Sequence, residues 1–261
     1  MRRDVSAHIE LSIAGPARLA FSVGVATNWP VTETLEVQGA EPGHDIAAEH
    51  GARLRVIEAE RGDLTLHYTA TVLGDPEEGE PHHELDLFRY LRPSRYCEAD
   101  ALAPTARAEF AGLTGSSLLA AVSSWVGTRL AYVPGSSLPT DGALRTLLAR
   151  QGVCRDYAHL VIALLRALDV PARMAAVYAP GLNPMDFHAV AEAYVDGAWH
   201  VVDATALAPR STLVRIATGR DAADTAFLSN YGAFVSLNRL EITAVAESLP
   251  FDDMDRMVTL G

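Results

Sequence analysis

The sequence has few cysteines and none of the residue spacings that usually hold a metal ion. Its 261 residues include two cysteines, Cys97 and Cys154. That number is too small for the disulfide framework of a small secreted domain, and Cys-x-x-Cys or His-Glu-x-x-His spacings do not occur. The adjacent histidines His82 and His83 stand in an acidic stretch, where a solvated loop is the expected interpretation. We therefore expect a reduced protein that uses no metal ion and no other cofactor.

The sequence also lacks an excess of positive charge and any long apolar run near its start. Its formal net charge is −12 at pH 7, whereas proteins that bind nucleic acid or anionic membranes through charge are usually basic. The N-terminal segment has neither the apolar core of a signal peptide nor a membrane span. These features predict a cytoplasmic protein with no nucleic-acid partner and no membrane partner.

Alternating side chains predict that the N-terminal region is rich in strands. Residues 5–13 and 64–72 alternate apolar and polar side chains, and this period of two is typical of half-buried antiparallel strands. We assign residues 1–80 to an N-terminal β-sandwich-like domain and residues 81–115 to a connecting segment. Residues 116–261 are assigned to a core domain that includes C-terminal strands.

The pattern becomes helical in the second part of the chain. Ser116-Ser117 and Thr140-Asp141 are residue types that cap helices, and they predict helices that end near Leu130 and Arg150. A third helical run, almost wholly apolar, follows and is expected to be buried in the centre of the domain. Three strands are then predicted, at about 172–178, 187–195 and 198–204.

Cys154 stands at the predicted start of the apolar helix. The first turn of a helix has unpaired N–H groups and the positive end of the helix dipole, which favour the nucleophilic thiolate. The alternative interpretation is a small buried cysteine in a core helix. His159 lies five residues further on, whereas helical neighbours are three and four residues apart, so it is a poor base for this thiol.

An Asp-Gly turn predicts a hairpin that brings a histidine beside an aspartate. Asp196-Gly197 suits a two-residue type I′ turn, and such a turn places Val190 opposite Asp203. His188 and Asp203 are then diagonal neighbours on one face, roughly 7–8 Å apart at the backbone. A carboxylate at that position would orient the imidazole and favour its charged form. His200 falls on the opposite face and is a poor candidate for the same role.

Several segments, in this order, resemble the motifs of bacterial transglutaminase-like proteins. The resemblance covers about residues 90–230 and departs from the family at Asp169, where glycine is usual, and after Asp203, where proline is common. The segments are Tyr90-Leu91-Arg92-Pro93-Ser94-Arg95-Tyr96, Gly152-Val153-Cys154-Arg155-Asp156-Tyr157-Ala158-His159-Leu160 with Asp169-Val170-Pro171-Ala172-Arg173, Asp186-Phe187-His188-Ala189, Trp199-His200-Val201-Val202-Asp203-Ala204-Thr205, and Gly219-Arg220-Asp221-Ala222-Ala223-Asp224.

The resemblance implies an α+β fold and acyl-transfer chemistry. In the implied papain-like transglutaminase core, a central cysteine helix packs on an antiparallel sheet, preceded by an N-terminal β-rich domain. Cys154 would be the nucleophile, His188 the base and acid, and Asp203 the residue that orients the imidazole. The family's reaction takes an acyl group from an amide through a thioester, which water or an amine then resolves. The implied partners are a peptide or protein amide and, for transamidation, an amine acceptor.

The residues that would stabilise the oxyanion or line the substrate pocket are less directly indicated. The backbone N–H of Cys154 is one natural oxyanion donor at a helix start, and analogy with the family places a second near Tyr132. Trp199 shares the face of His188 and Asp203, so it is either a pocket wall or a core tryptophan.

The sequence leaves three functions open. Hydrolysis by a protease or amidase and transamidation both use the same triad, and hydrolysis is favoured because it needs only water. The third is a binding or scaffold protein that keeps the fold without activity.

Overall fold

The computed structural model of the protein describes residues 1–76, 83–254 and 256–260. The strands are β1 (Arg2–Ile13), β2 (Ala17–Phe21), β3 (Val31–Gln38), β4 (His44–Ala47), β5 (Arg53–Ala59), β6 (Gly62–Leu73), β7 (Ala131–Tyr132), β8 (Gln151–Gly152), β9 (Ala172–Tyr178), β10 (Phe187–Val195), β11 (Ala198–Val202), β12 (Val214–Gly219), β13 (Leu228–Gly232) and β14 (Val235–Ala246). The helices are α1 (Glu84–Arg89), α2 (Ala99–Glu109), α3 (Gly115–Arg129), α4 (Ala143–Ala149) and α5 (Cys154–Arg166). Of the predicted loop histidines, His82 lies outside the described residues, and His83 is exposed just before α1.

Two four-stranded antiparallel sheets share one apolar core. Their strand orders are β14-β1-β6-β3 and β13-β2-β5-β4. Every second residue of β1 is buried, as its alternating sequence predicts. Leu11 of the first sheet and Phe21 of the second belong to the same buried cluster. The two sheets therefore form a sandwich.

The C-terminal strands belong to this sandwich and not to the core sheet. β14 pairs with β1, with Ala7 opposite Ile242, and β13 pairs with β2. The predicted core of residues 116–261 included these strands, so the structure differs from the prediction here. Without this pairing β1 and β2 would each leave an open sheet edge, and the returning chain covers both edges. Alternation predicts that a segment is a strand, but it does not identify the neighbouring strand.

The predicted α+β core is confirmed. A third antiparallel sheet has the order β11-β10-β9-β12, and α5 packs on one of its faces. Leu160 and Leu164 of α5 are fully buried and belong to the same cluster as Ala191 and Val202 of the sheet. Helices α2, α3 and α4 cover the other sides of α5. The cysteine helix is thus central, as its almost wholly apolar sequence predicts.

The predicted hairpin register is confirmed, whereas two predicted helix caps are wrong. Asp196 and Gly197 both have positive φ, 52° and 84°, and Tyr194 opposes Trp199 across the turn. The N-cap of α3 is Thr114 and that of α4 is Gly142, both without a side-chain cap. The carboxylate of the predicted cap residue Asp141 instead accepts a hydrogen bond from the N–H of Leu138 at 3.0 Å and closes a turn before α4.

None of the helices among the described residues is long and apolar enough to cross a membrane.

Candidate active site

Cys154 is the first residue of α5, and the turn before it is fixed by Asp156. The carboxylate of Asp156 accepts hydrogen bonds from the backbone N–H of Val153 at 2.8 Å and from the hydroxyl of Ser137 at 2.9 Å. A Cβ atom on Gly152 would lie 2.6 Å from the Cβ of Asp156, so the close approach requires glycine. These contacts hold the start of the helix in place, and Cys154 is partly exposed there.

His188 and Asp203 form a buried hydrogen-bonded pair. The Nε2 atom of His188 lies 2.8 Å from Oδ2 of Asp203, and both residues are 2% exposed. The other oxygen of Asp203 accepts two hydrogen bonds from Thr205, at 2.9 Å from its N–H and at 2.7 Å from its hydroxyl. Thr205 therefore occupies Oδ1 and leaves Oδ2 to the histidine.

The thiol of Cys154 approaches the same imidazole from its other side. It lies near enough to raise the pKa of His188. Because Nε2 is bound to Asp203, the nitrogen that is left for the thiol is Nδ1, which has no hydrogen-bond partner within the described part of the chain. The structure thus brings Cys154, His188 and Asp203 together in that order.

Electrostatics favour the charged forms of the histidine and the aspartate. Burial lowers the pKa of His188, but the charge and hydrogen bond of Asp203, together with the Cys154 thiol, raise that pKa to about 10. Burial raises the pKa of Asp203, whereas His188 and the two bonds from Thr205 lower it further, so the net direction is downward. The pair is therefore suited to hold an imidazolium beside a carboxylate.

Tyr132 lies directly beside the thiol. β7 and β8 pair in parallel, with Tyr132 opposite Gly152. Its phenol interacts with both the backbone N–H and the thiol of Cys154. Burial and then the charge of Cys154 raise the pKa of Tyr132 to about 12, so the hydroxyl keeps its proton at neutral pH and can donate a hydrogen bond. Tyr132, which the family resemblance suggested, therefore lies next to Cys154.

Trp199 does not lie at this site. The guanidinium of Arg173 lies 4.0 Å from the centre of the Trp199 ring, and Tyr90 meets the same ring edge to face. Trp199 shares the face of His188, as the period of two predicts, but it lies at the far end of the hairpin. Tyr194, its partner, is six residues from His188, and at about 3.3 Å per residue this is roughly 20 Å along the strand. Trp199 is therefore a core residue and not a pocket wall.

His159 and His200, which the sequence analysis judged poor candidates for the base, make other contacts. The Nε2 atom of His159 accepts a hydrogen bond from the N–H of Ala222 at 3.2 Å, and its ring stacks on Tyr96. Burial lowers the pKa of His159 to about 3. His200 lies with its Nε2 atom 3.2 Å from the carbonyl oxygen of Val195, at the hairpin turn. Both rings therefore have contacts away from the hydrogen-bonded pair of His188 and Asp203.

Two further residues at the site were not singled out from the sequence. Thr205 orients Asp203, and the signal for it was the Asp-x-Thr spacing, in which a carboxylate accepts a hydrogen bond from the backbone two residues on. Asp186 lies near the site, where its carboxylate acts on both His188 and Tyr132. The sequence indicates Asp186 through its position two residues before His188, because residues two apart in an extended segment point to the same side.

The arrangement as a whole contains the groups that thiol chemistry needs. A partly exposed thiol lies at a helix start, a buried imidazole can take its proton, and a carboxylate fixes that imidazole. The N–H of Cys154 and the Tyr132 hydroxyl are donors on the same side as the thiol. No group of three or more potential metal ligands occurs among the residues that the structure describes.

Comparisons with known proteins identify the family of this chain. Residues 109–204 match the model of the transglutaminase-like superfamily. The crystal structure of a candidate cysteine protease from Cytophaga hutchinsonii is 34% identical and superimposes with a TM-score of 0.87, covering 96% of this chain and 92% of that one.

Two further proteins show weaker similarity to this chain. The uncharacterized protein ML0607 of Mycobacterium leprae is 26% identical over 138 residues, which is 49% of this chain and 48% of that protein. This chain therefore matches about half the length of that relative. The periplasmic domain of TgpA from Pseudomonas aeruginosa is 19% identical, with a TM-score of 0.43 over 76% of this chain and 91% of that one.

Proposed function

The chain belongs to the transglutaminase-like superfamily, and from this premise we propose that it is a cysteine enzyme that transfers acyl groups from amide or peptide bonds. Cys154 is the nucleophile, His188 the general base and acid, and Asp203 the residue that orients the imidazole. The partner is a peptide or protein that carries the amide. The observation that carries the proposal is the hydrogen bond between His188 and Asp203, with the thiol of Cys154 near enough to act on the same imidazole.

The first half of the reaction forms a thioester. The Cys154 sulfur, after transfer of its proton to Nδ1 of His188, attacks the amide carbonyl. The negative charge on the carbonyl oxygen is stabilised by the N–H of Cys154 and the hydroxyl of Tyr132, and one such donor is worth about 10²–10³-fold in rate. Collapse breaks the C–N bond, and the imidazolium gives its proton to the departing amine.

The second half releases the acyl group. His188 takes a proton from water, and the resulting hydroxide attacks the thioester carbonyl. The C–S bond breaks to release the carboxylic acid, and the imidazolium returns its proton to the sulfur of Cys154. We favour water over an amine as the acceptor because hydrolysis needs no second substrate. The similarity to the candidate cysteine protease of C. hutchinsonii supports the same choice.

A burst experiment tests the proposal without knowledge of the natural substrate. The purified protein is mixed with p-nitrophenyl acetate, and the release of p-nitrophenolate is followed together with the intact mass of the protein. We expect one equivalent of rapid release and an acetyl adduct on Cys154. Both are lost in Cys154→Ser and strongly slowed in His188→Ala, whereas the matched histidine variant His200→Gln behaves as the wild type.

A second acceptor separates hydrolysis from transamidation. The same acyl-enzyme is offered dansylcadaverine, and acyl transfer to the dye is compared with release to water. The protein contains 21 arginines and no lysine, so its own side chains supply no primary amine that could compete. Absence of an adduct, with equal iodoacetamide labelling of the wild type and His188→Ala, would instead support a non-catalytic scaffold.

A further inference from the structure

Asp186 is a carboxylate at the mouth of the candidate active site. It is exposed, and it lies two residues before His188. Its Oδ1 atom accepts a hydrogen bond from the N–H of Phe187 at 2.7 Å. The charged side chain that acts on its carboxylate is that of His188. This carboxylate therefore lies beside the candidate catalytic histidine.

The segments that contain Asp186 and Tyr132 both expose apolar side chains. The carboxylate of Asp186 acts on the phenol of Tyr132, so the segment before β10 lies near the segment that contains β7. Met185 is 45% exposed on the first segment, and Tyr132 and Val133 are 40% and 37% exposed on the second. The N–H of Val133 donates to the carbonyl of Gly152 at 3.0 Å, which keeps this segment beside the start of α5. The residues near Cys154 and His188 therefore include exposed apolar side chains and one exposed carboxylate.

We propose that Asp186 is a specificity-determining residue that binds a positively charged group of the acyl donor close to the scissile amide. The inference rests on the proposed function, since it concerns the substrate of the same site. An aliphatic stem that ends in an ammonium or guanidinium matches this surface, because its apolar part packs on Met185 and Val133 while its charge meets the carboxylate. An acidic side chain at the same place is repelled.

The charge preference can be measured on Cys154 itself, without turnover. Three methanethiosulfonate reagents of similar size are compared: 2-aminoethyl (cationic), ethyl (neutral) and 2-sulfonatoethyl (anionic). Each forms a mixed disulfide with the Cys154 thiolate and expels methanesulfinate. Cys97 is fully buried, and Cys154→Ser provides the blank. We expect the ratio of the cationic to the anionic rate to fall roughly tenfold in Asp186→Asn, as for the loss of one nearby partly screened charge.

The variants are chosen so that the result cannot come from misfolding. The rate with the neutral reagent reports an intact site in Asp186→Asn, and Asp186→Lys should invert the ratio. The matched control is Asp196→Asn, which removes an exposed aspartate from the β10–β11 turn and should leave the ratio unchanged. An equal ratio in the wild type and Asp186→Asn would overturn the proposal.

A second measurement uses substrates and separates this inference from the proposed function. Coumarin amides of N-capped lysine, norleucine and glutamate share the acyl linkage and differ in charge, and uncapped norleucine places the charge on the amino terminus. We expect kcat/KM for capped lysine to exceed that for capped norleucine, with the difference lost in Asp186→Asn. A preference for uncapped over capped norleucine would assign the charge to an amino-terminal ammonium. If no amide is cleaved but the reagent ratio depends on Asp186, the proposed acyl transfer is contradicted and the charge preference is supported. If Cys154 cleaves the amides without any charge preference, the proposed acyl transfer is supported and the role of Asp186 is contradicted.

Discussion

Thr205 holds one oxygen of Asp203 with two hydrogen bonds, at 2.9 Å from its backbone N–H and 2.7 Å from its hydroxyl. This leaves the second oxygen of the carboxylate to His188 at 2.8 Å. Both of these hydrogen bonds from Thr205 go to Asp203, so Thr205 acts as a positioning residue. Its effect on the reaction must pass through the orientation and charge of Asp203.

Removal of the Thr205 hydroxyl should slow the reaction without weakening substrate binding. A hydrogen bond to a charged group is worth about 1.5–3 kcal/mol, so we expect kcat to fall roughly 10–100-fold in Thr205→Val with little change in KM. Thr205→Ser, which restores the hydroxyl, should recover most of the rate. The pH dependence of kcat should also shift in the valine variant because the carboxylate is less well stabilised. A loss of rate with an unchanged pH profile would indicate a purely structural role.

The hydroxyl of Tyr132 should matter for acylation and not for simple alkylation. Tyr132→Phe removes a donor that would bind the oxyanion, and we expect a fall of about 10²–10³-fold in the rate of the p-nitrophenyl acetate burst. Iodoacetamide forms no oxyanion when it alkylates Cys154, so its rate should change much less. Tyr231→Phe is the matched control, since Tyr231 is 65% exposed on β13. Equal effects of Tyr132→Phe on both reagents would exclude the oxyanion role.

The glycine before the cysteine helix should be intolerant of a methyl group. A Cβ atom on Gly152 meets the Cβ of Asp156 at 2.6 Å, and overpacking of this kind costs about 1–3 kcal/mol. We expect Gly152→Ala to lower the free energy of unfolding by that amount in urea titration. It should also slow the alkylation of Cys154, because the helix start must shift. In Gly15→Ala the nearest atom is at 3.4 Å, so this control should lose little stability.

The sequence predicted the parts of the site that depend on local rules. The period of two and the Asp196-Gly197 turn were sufficient to place His188 beside Asp203, since both rules act within one hairpin. Apolar residues on nearly all sides of α5 predicted that the cysteine helix is central. The position of Trp199 relative to the thiol could not be predicted, because the period of two identifies the face on which Trp199 lies but not its distance from Cys154.

Contacts between segments far apart in sequence could not be predicted. Glu192 shares the face of His188, yet its carboxylate is fully buried and accepts hydrogen bonds from Arg173 of β9 at 2.9 Å and Arg215 of β12 at 2.8 Å. Nothing in the local pattern of any of the three residues indicates its partners. The pairing of β13 and β14 with the sandwich could not be predicted for the same reason, since it depends on which sheet edges remain open after the core has formed.

The raised pKa of His188 makes a specific contribution to the pH dependence of stability. The pKa is 6.5 in the unfolded chain and about 10 in the folded protein, so the folded state holds the proton more tightly. The stabilisation is therefore fully present below pH 6.5 and is lost as the pH rises towards 10. We expect the stability difference between the wild type and His188→Gln to shrink across this interval in urea titrations. Asp203→Asn, which removes the main charge that raises the pKa, should abolish most of the dependence, whereas His200→Gln should keep it. A difference that is constant from pH 6.5 to 10 would show that His188 is neutral in the folded protein, and it would then accept the Cys154 proton as a neutral base without a preformed ion pair.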